Sequence, residues 1–214
     1  MVSPADRDLD APDDVDGGPR RHTGQGEERK QQLLEAAADL FSAKGYANTR
    51  IIDICERAGV AKGLFYWYFE TKDSLYAELI RSMRRRMRRV QADAMDPDAN
   101  AVERIRQAAV ASMIYLSEHP TFFAFASDES VTPALAQLAR ESTEVYIQDA
   151  ERLIREAQRS GHALEWLDPA LAAVGVSATT RAFSELLRSD DGERDAHEVA
   201  AFAAAWVVRA LSGM

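Results

Sequence analysis

From Glu27 to Leu211 apolar side chains recur every three or four positions, and no stretch alternates apolar with polar as a half-buried strand does. The pattern predicts an all-α protein. A first helix carries Leu33, Leu34, Ala37, Leu40 and Phe41 on one face and stops at Gly45, a residue suited to a left-handed C′ position. Thr49 is placed to cap a second helix, with Ile51, Ile54, Cys55 and Ala58 on one side and Gly59 at its end. A third, very aromatic helix runs from Lys62 through Phe69. Thr71 caps a long fourth helix that repeats Leu75, Leu79, Met83, Met87, Val90 and Ala94 up to Met95, ahead of Pro97.

Behind it, Asn100 with Glu103 starts a helix carrying Ile105, Ala109, Met113 and Leu116 and ending near His119 and Pro120. A short apolar segment, Phe122 to Ala126, follows. Thr132-Pro133 and Asp168-Pro169 each mark a helix start, the first leading to Gly161 and the second to about Arg188. A last helix covers about Asp195 to Leu211. Residues 1–26 are rich in Asp, Gly, Pro and Arg and hold few large apolar groups, so they are expected to be a disordered tail. The expected division is that tail, a head over 27–75, and a larger helical domain over 76–214.

Composition narrows the classes. The chain has 214 residues, 46% hydrophobic, with formal net charge −9 and one cysteine, Cys55. A lone cysteine excludes an intramolecular disulfide framework and fits a reducing cytosol, with buried packing as the reading for Cys55 itself. The acidic start lacks the apolar core of a signal peptide, and Val199 to Val208 is half the length of a membrane span, so a soluble cytoplasmic protein with no membrane partner is expected. All four lysines lie between residues 27 and 75, and Arg81, Arg84, Arg85, Arg86, Arg88 and Arg89 follow, while residues 95–214 carry the excess of acids. That asymmetry suits a polyanion-binding head on an acidic body, and equally a solvated arginine face. His22, His119, His162 and His197 are dispersed without metal-ligand spacing, and no phosphate loop or nucleophile elbow occurs, so no catalytic residue, metal or cofactor is expected.

Two short helices joined by the turn Ala58-Gly59-Val60-Ala61, the second presenting polar and aromatic groups, meet the requirement of a helix-turn-helix. Gly45-Tyr46, Thr49, Ile54, Ala58-Gly59-Val60, Lys62-Gly63, Tyr66, Tyr68-Phe69, Lys72 and Leu75 fall in the order and spacing of the amino-terminal domain of TetR-family transcriptional repressors, which this stretch resembles over about residues 29–80. The resemblance implies a three-helix DNA-binding domain followed by a helical ligand-binding and dimerisation domain. It also implies DNA-contacting roles. Thr49 would cap its helix and present a hydroxyl and amide to phosphate, with Arg50 beside it. Lys62 would reach a guanine edge or a phosphate, and Gly63 would allow close backbone approach. Tyr66 and Tyr68 would donate hydroxyls to phosphate, with core packing as the competing role. Lys72, a cation in the first turn of a helix, is better explained by a phosphate partner than by stability. Ala61, Leu64 and Trp67 depart from the usual pattern: Ala61 loses a side-chain cap, Leu64 offers only apolar contact to a thymine methyl, and the Trp67 indole N–H is a phosphate donor. The arginine run after Met83 is expected to be solvated or acid-paired rather than on DNA.

In the rear domain, the all-round apolar last helix, with Phe202 and Trp206, and the small residues Gly175, Ala178 and Ala182 predict a four-helix interface between two copies about a twofold axis. The family implies an effector pocket there, with Tyr115, Phe122, Phe123, Phe125, Tyr146, Trp166 and Arg181 as candidate lining for an apolar or amphipathic small molecule. Ordinary core is the competing role for each aromatic, and an ion pair for Arg181. The expected function is a ligand-responsive homodimeric repressor released from a palindromic double-stranded operator, with the fourth helix as lever. The rival is an all-α small-molecule sensor or carrier whose head does not bind DNA.

Overall fold

The computed structural model describes residues 24–119, 131–189 and 193–213, and among them there are eight helices and no strand. They are α1 (Gly24–Lys44), α2 (Ile51–Ala58), α3 (Lys62–Tyr68), α4 (Lys72–Ala94), α5 (Ala101–Glu118), α6 (Pro133–Arg159), α7 (Pro169–Ser189) and α8 (Ala196–Ser212). Because α1 starts at Gly24, the last three residues assigned to the tail are helical; the rest of the tail, residues 1–23, lies outside the described residues. So does the apolar segment with Phe122, Phe123 and Phe125.

Local signals explain most helix ends. The Thr71 hydroxyl accepts from the Ser74 amide at 3.0 Å, Asn100 Oδ1 from Glu103 at 3.0 Å, and Asp195 Oδ1 from Glu198 at 2.9 Å. Gly45, Gly59, Gly161 and Gly213 have positive φ past the ends of α1, α2, α6 and α8. Thr49 is the exception. Arg50, in extended backbone, occupies the N-cap of α2, and its amide donates to Asp53 Oδ2 at 3.2 Å. Thr49 sits one residue too early to cap, so its hydroxyl turns inward.

α1, α2, α3 and the start of α4 close on one core of Leu33, Ala37, Phe41, Ile54, Phe65 and Leu75, with Tyr76 fully enclosed. Cys55 is buried in the same core, and burial pushes its thiol pKa up. Helix α4 runs without a break through residues 75 and 76. Helix α6 also reaches the head: Leu135 is buried in the head core, and Leu138 and Ala139 pack on it. The Thr132 hydroxyl, just ahead of α6, lies 3.3 Å from Asp73 Oδ2, and Asp73 also accepts from the Tyr46 hydroxyl. Behind the head, α5 packs against α4, α6, α7 and α8, and α6 against α7. Ala200, Ala203 and Ala204 on the inner face of α8 have no bulk to hold it away from α5.

Candidate nucleic-acid interface

Gly59, at φ +66°, turns the chain between α2 and α3, and its amide and that of Val60 close the last turn of α2 on the Glu56 and Cys55 carbonyls. Phe65 and Phe69 anchor α3 in the core. The other side of α3 is left outward: Lys62, Gly63, Tyr66 and Trp67 are all exposed. A Cβ on Gly63 would meet nothing within 4 Å, so the protein itself does not demand glycine there. Lys62 Nζ lies 5.8 Å from the Tyr66 ring centroid, and the Trp67 ring meets Tyr68 edge-on with centroids 4.5 Å apart. Leu64 is half-buried. Ala61 precedes α3 with no side-chain cap, as its methyl requires.

Three expected contacts are instead committed to the fold. Thr49 is 1% exposed; its hydroxyl donates to the Gly45 carbonyl at 2.8 Å and its amide to Tyr46 at 3.2 Å, so neither is presented outward. The Tyr68 hydroxyl donates to the Gly26 carbonyl at 2.7 Å, tying α3 to the start of α1. Lys72 Nζ donates to the Tyr46 and Thr49 carbonyls at 2.7 and 2.8 Å and stands 4.0 Å from the Tyr46 ring centroid. Two carbonyl dipoles and a ring face thus hold the ammonium against the head, which gives its position in the first turn of α4 a structural role of its own.

Arg50 remains exposed, with Nε and Nη2 on Asp53 Oδ1 at 3.0 and 2.7 Å. Arg50 and Lys44 together hold the Asp53 carboxyl well below the usual carboxylate range. In the arginine run, Arg85 pairs with Glu78 at 3.0 Å and Arg88 with Asp149 at 2.7 Å. Burial pushes the Glu78 carboxyl up, and Arg85 with Lys30 outweigh it, so its pKa is lowered.

A cavity of about 410 Å³ opens between α4, α5, α6 and α7. Tyr146 and Arg181 line it. Burial pushes the Tyr146 phenol above its ordinary pKa, and its hydroxyl faces the Arg84 carbonyl at 3.4 Å. Tyr115 lines a separate small cleft between α1, α4 and α5, stacked on His119 with centroids 4.0 Å apart. Trp166 is 77% exposed and lines neither, because the turn after α6 carries it outward. Sequence reasoning missed the polar members Gln91, Ser112, Thr143 and Thr180. Their only signal is a polar residue on the inner face of an otherwise apolar helix, which a solvated position mimics.

Gly175, Ala178, Ala182, Phe202 and Trp206 are all exposed on one chain, Phe202 at 66% and Trp206 at 58%. Leu171, Val174 and Leu186 extend this apolar surface along α7. No described helix is long and apolar enough to cross a membrane.

Residues 33–79 match the family model for bacterial regulatory proteins of the tetR family. The chain is 29% identical over 136 residues, 64% of its own length and 66% of the relative's, to the HTH-type transcriptional repressor KstR2 of Mycobacterium tuberculosis. It is 39% identical over 64 residues, 30% of each chain, to the HTH-type transcriptional regulator TtgR of Pseudomonas putida. The chain thus spans about two thirds or less of these curated relatives. Among solved structures, the transcriptional regulator FadR from Bacillus subtilis in complex with stearoyl-CoA superposes with a TM-score of 0.71 over 85% of this chain and 98% of that one, at 21% identity.

Proposed function

The chain belongs, by its amino-terminal domain, to the TetR family of bacterial regulators, and from that premise we propose that it is a ligand-responsive transcriptional repressor acting as a homodimer in the cytoplasm. The observation that carries the reading is the α2-turn-α3 unit, whose recognition helix leaves Lys62, Gly63, Tyr66 and Trp67 outward while Phe65 and Phe69 hold it rigidly to the head. In this reading α3 enters the major groove, Lys62 reaches a guanine edge or phosphate, and Leu64 meets a thymine methyl at the helix margin. Tyr66 and Trp67 donate to phosphates on either side, and Gly63 admits a phosphate-bearing backbone that a Cβ would obstruct. Arg50 joins them through Nη1, the nitrogen that Asp53 leaves over.

Dimerisation through α7 and α8 is supported by the apolar face carrying Phe202 and Trp206, and it sets two recognition helices on one palindromic operator. The cavity between α4 and α7 is the effector site. Both α4 and α6 join that cavity to the head, so an effector that spreads them moves the heads apart and lowers operator affinity, provided it binds the spread form better.

The test is fluorescence-polarisation titration of a duplex from the protein's own upstream region, with a scrambled duplex as control, across a salt series. Sequence-selective binding with a steep salt slope is expected. Equal, weak binding to every duplex recovered by selection from random DNA refutes the repressor reading and favours the sensor whose head is silent.

A further inference from the structure

The cavity is two-toned. Its floor is apolar: Met87, Ile105, Ala109 and Leu153 are buried. Its edge is cationic. Arg88 from α4, Arg152 from α6 and Arg181 from α7 all line it with half or more of their side chains exposed. Among the described lining residues the carboxylate is Asp149, shared by Arg88 at 2.7 Å and Arg152 at 3.3 Å, while Arg181 pairs at 3.0 Å with Glu185 beside the lining, the ion pair that competed with a ligand role for it; three guanidiniums face two carboxylates. Positive charge therefore exceeds negative at the rim of a low-dielectric hole.

The hydrogen-bond donors make the same selection. The hydroxyls of Ser112, Thr143 and Thr180 donate to the carbonyls of Ala108, Ala139 and Val176 at 2.7, 3.2 and 2.9 Å. Gln91 Nε2 donates to the Ser112 hydroxyl at 3.0 Å. These groups can still accept from a ligand; the donors to it are the guanidinium N–H groups, each with five donors and at most two engaged in ion pairs, together with the second N–H of Gln91 and the Ser177 hydroxyl. Most of these donors are charged N–H groups, so a ligand end that accepts and carries negative charge uses the set more fully than a neutral alcohol does.

We propose that the effector is an anionic amphiphile, with an apolar chain on the floor and an anionic head at Arg88, Arg152 and Arg181. This deepens, and rests on, the reading of the cavity as the effector site. At the roughly 30 Å³ that a water molecule occupies in the liquid, the cavity has room for on the order of a dozen non-hydrogen atoms. A medium-length acyl chain fills it, and a larger head remains outside with the arginines. Both a free carboxylic acid and the phosphate-bearing thioester of such an acid with coenzyme A have this chemistry. An anion at the rim competes with Asp149 for Arg88, loosening the α4–α6 link at the point where both helices lead to the head.

The experiment is isothermal titration calorimetry of the full-length protein, without DNA, against decanoate, decanoyl-CoA and decan-1-ol below their aggregation limits. At least one of the two anions is expected to bind tenfold or more tighter than the alcohol, about 1.4 kcal/mol. Decanoate alone identifies a free acid as the source, decanoyl-CoA alone a thioester, and both support the proposal. Arg88→Gln with Arg152→Gln should bring the anion down to the alcohol's affinity and leave the alcohol unchanged, which also reports that the cavity is intact. An alcohol as tight as both anions, or no binding of either anion, overturns the proposal on the native protein irrespective of how the variants fold. Because no DNA is present, failure of operator binding leaves this result standing and counts only against the repressor reading.

Discussion

Replacing Lys72 with Met separates two accounts of a conspicuous cation. The side chain keeps its length and apolar stem, and loses the ammonium that donates to the Tyr46 and Thr49 carbonyls and faces the Tyr46 ring. A hydrogen bond from a charged donor contributes about 1.5–3 kcal/mol and a cation–π contact about 0.5–2 kcal/mol. The three share one charge and are not additive, and Lys72 is only half-buried, so the expected loss is about 2–3 kcal/mol. For a chain of this size that lowers Tm by roughly 4–12 °C. Differential scanning fluorimetry measures it, and operator titration in a salt series gives the second readout. A lysine on phosphate contributes about 0.9 to the slope of log affinity against log salt; one tied to backbone carbonyls leaves the slope unchanged when removed. The reasoning is refuted if Lys72→Met melts within a degree of the parent while the salt slope falls by about one.

Lys62→Ala should weaken operator binding by about 1–3 kcal/mol, measured by polarisation, with Tm unchanged because the side chain is exposed. Trp206→Arg together with Phe202→Asp should convert the dimer to monomers in sedimentation velocity, since both groups lie on an apolar face that one chain leaves open. Leu135→Ala removes a buried side chain by which α6 enters the head core and should cost about 2–5 kcal/mol in urea unfolding, with a weakened effector response of whatever head remains folded. Glu78 has a folded pKa below its unfolded value, so its contribution is present above the ordinary glutamate pKa of about 4.3 and is lost as pH falls through the lowered folded value. Glu78→Gln should therefore flatten the acid limb of a stability-versus-pH profile and leave its shape above about pH 6 unaltered.

Periodicity, caps and glycine turns determined the helices, because those signals lie within a few residues of the structure they specify. The spacing of Leu33, Leu34, Ala37 and Phe41 needs only the helical repeat, and the turn at Gly59 needs only a residue that tolerates positive φ. The outward set on α3 was legible in part for the same reason: once Phe65 and Phe69 face the core, Gly63 and Trp67 on the opposite side of the repeat face away, whereas Lys62 and Tyr66 lie three residues from an anchoring Phe and are exposed by where the head's core ends. Tertiary structure alone decided which polar groups of the head are free. Thr49 lost the cap to Arg50 by one residue, and its hydroxyl closed on Gly45 instead. Tyr68 found its acceptor 42 positions away at Gly26, and Lys72 found carbonyls 26 and 23 positions away at Tyr46 and Thr49. No local pattern encodes such partners. The cavity is a property of four packed helices, so Arg88, Arg152 and Arg181, far apart in the chain and ordinary as single residues, become one rim only when α4, α6 and α7 meet.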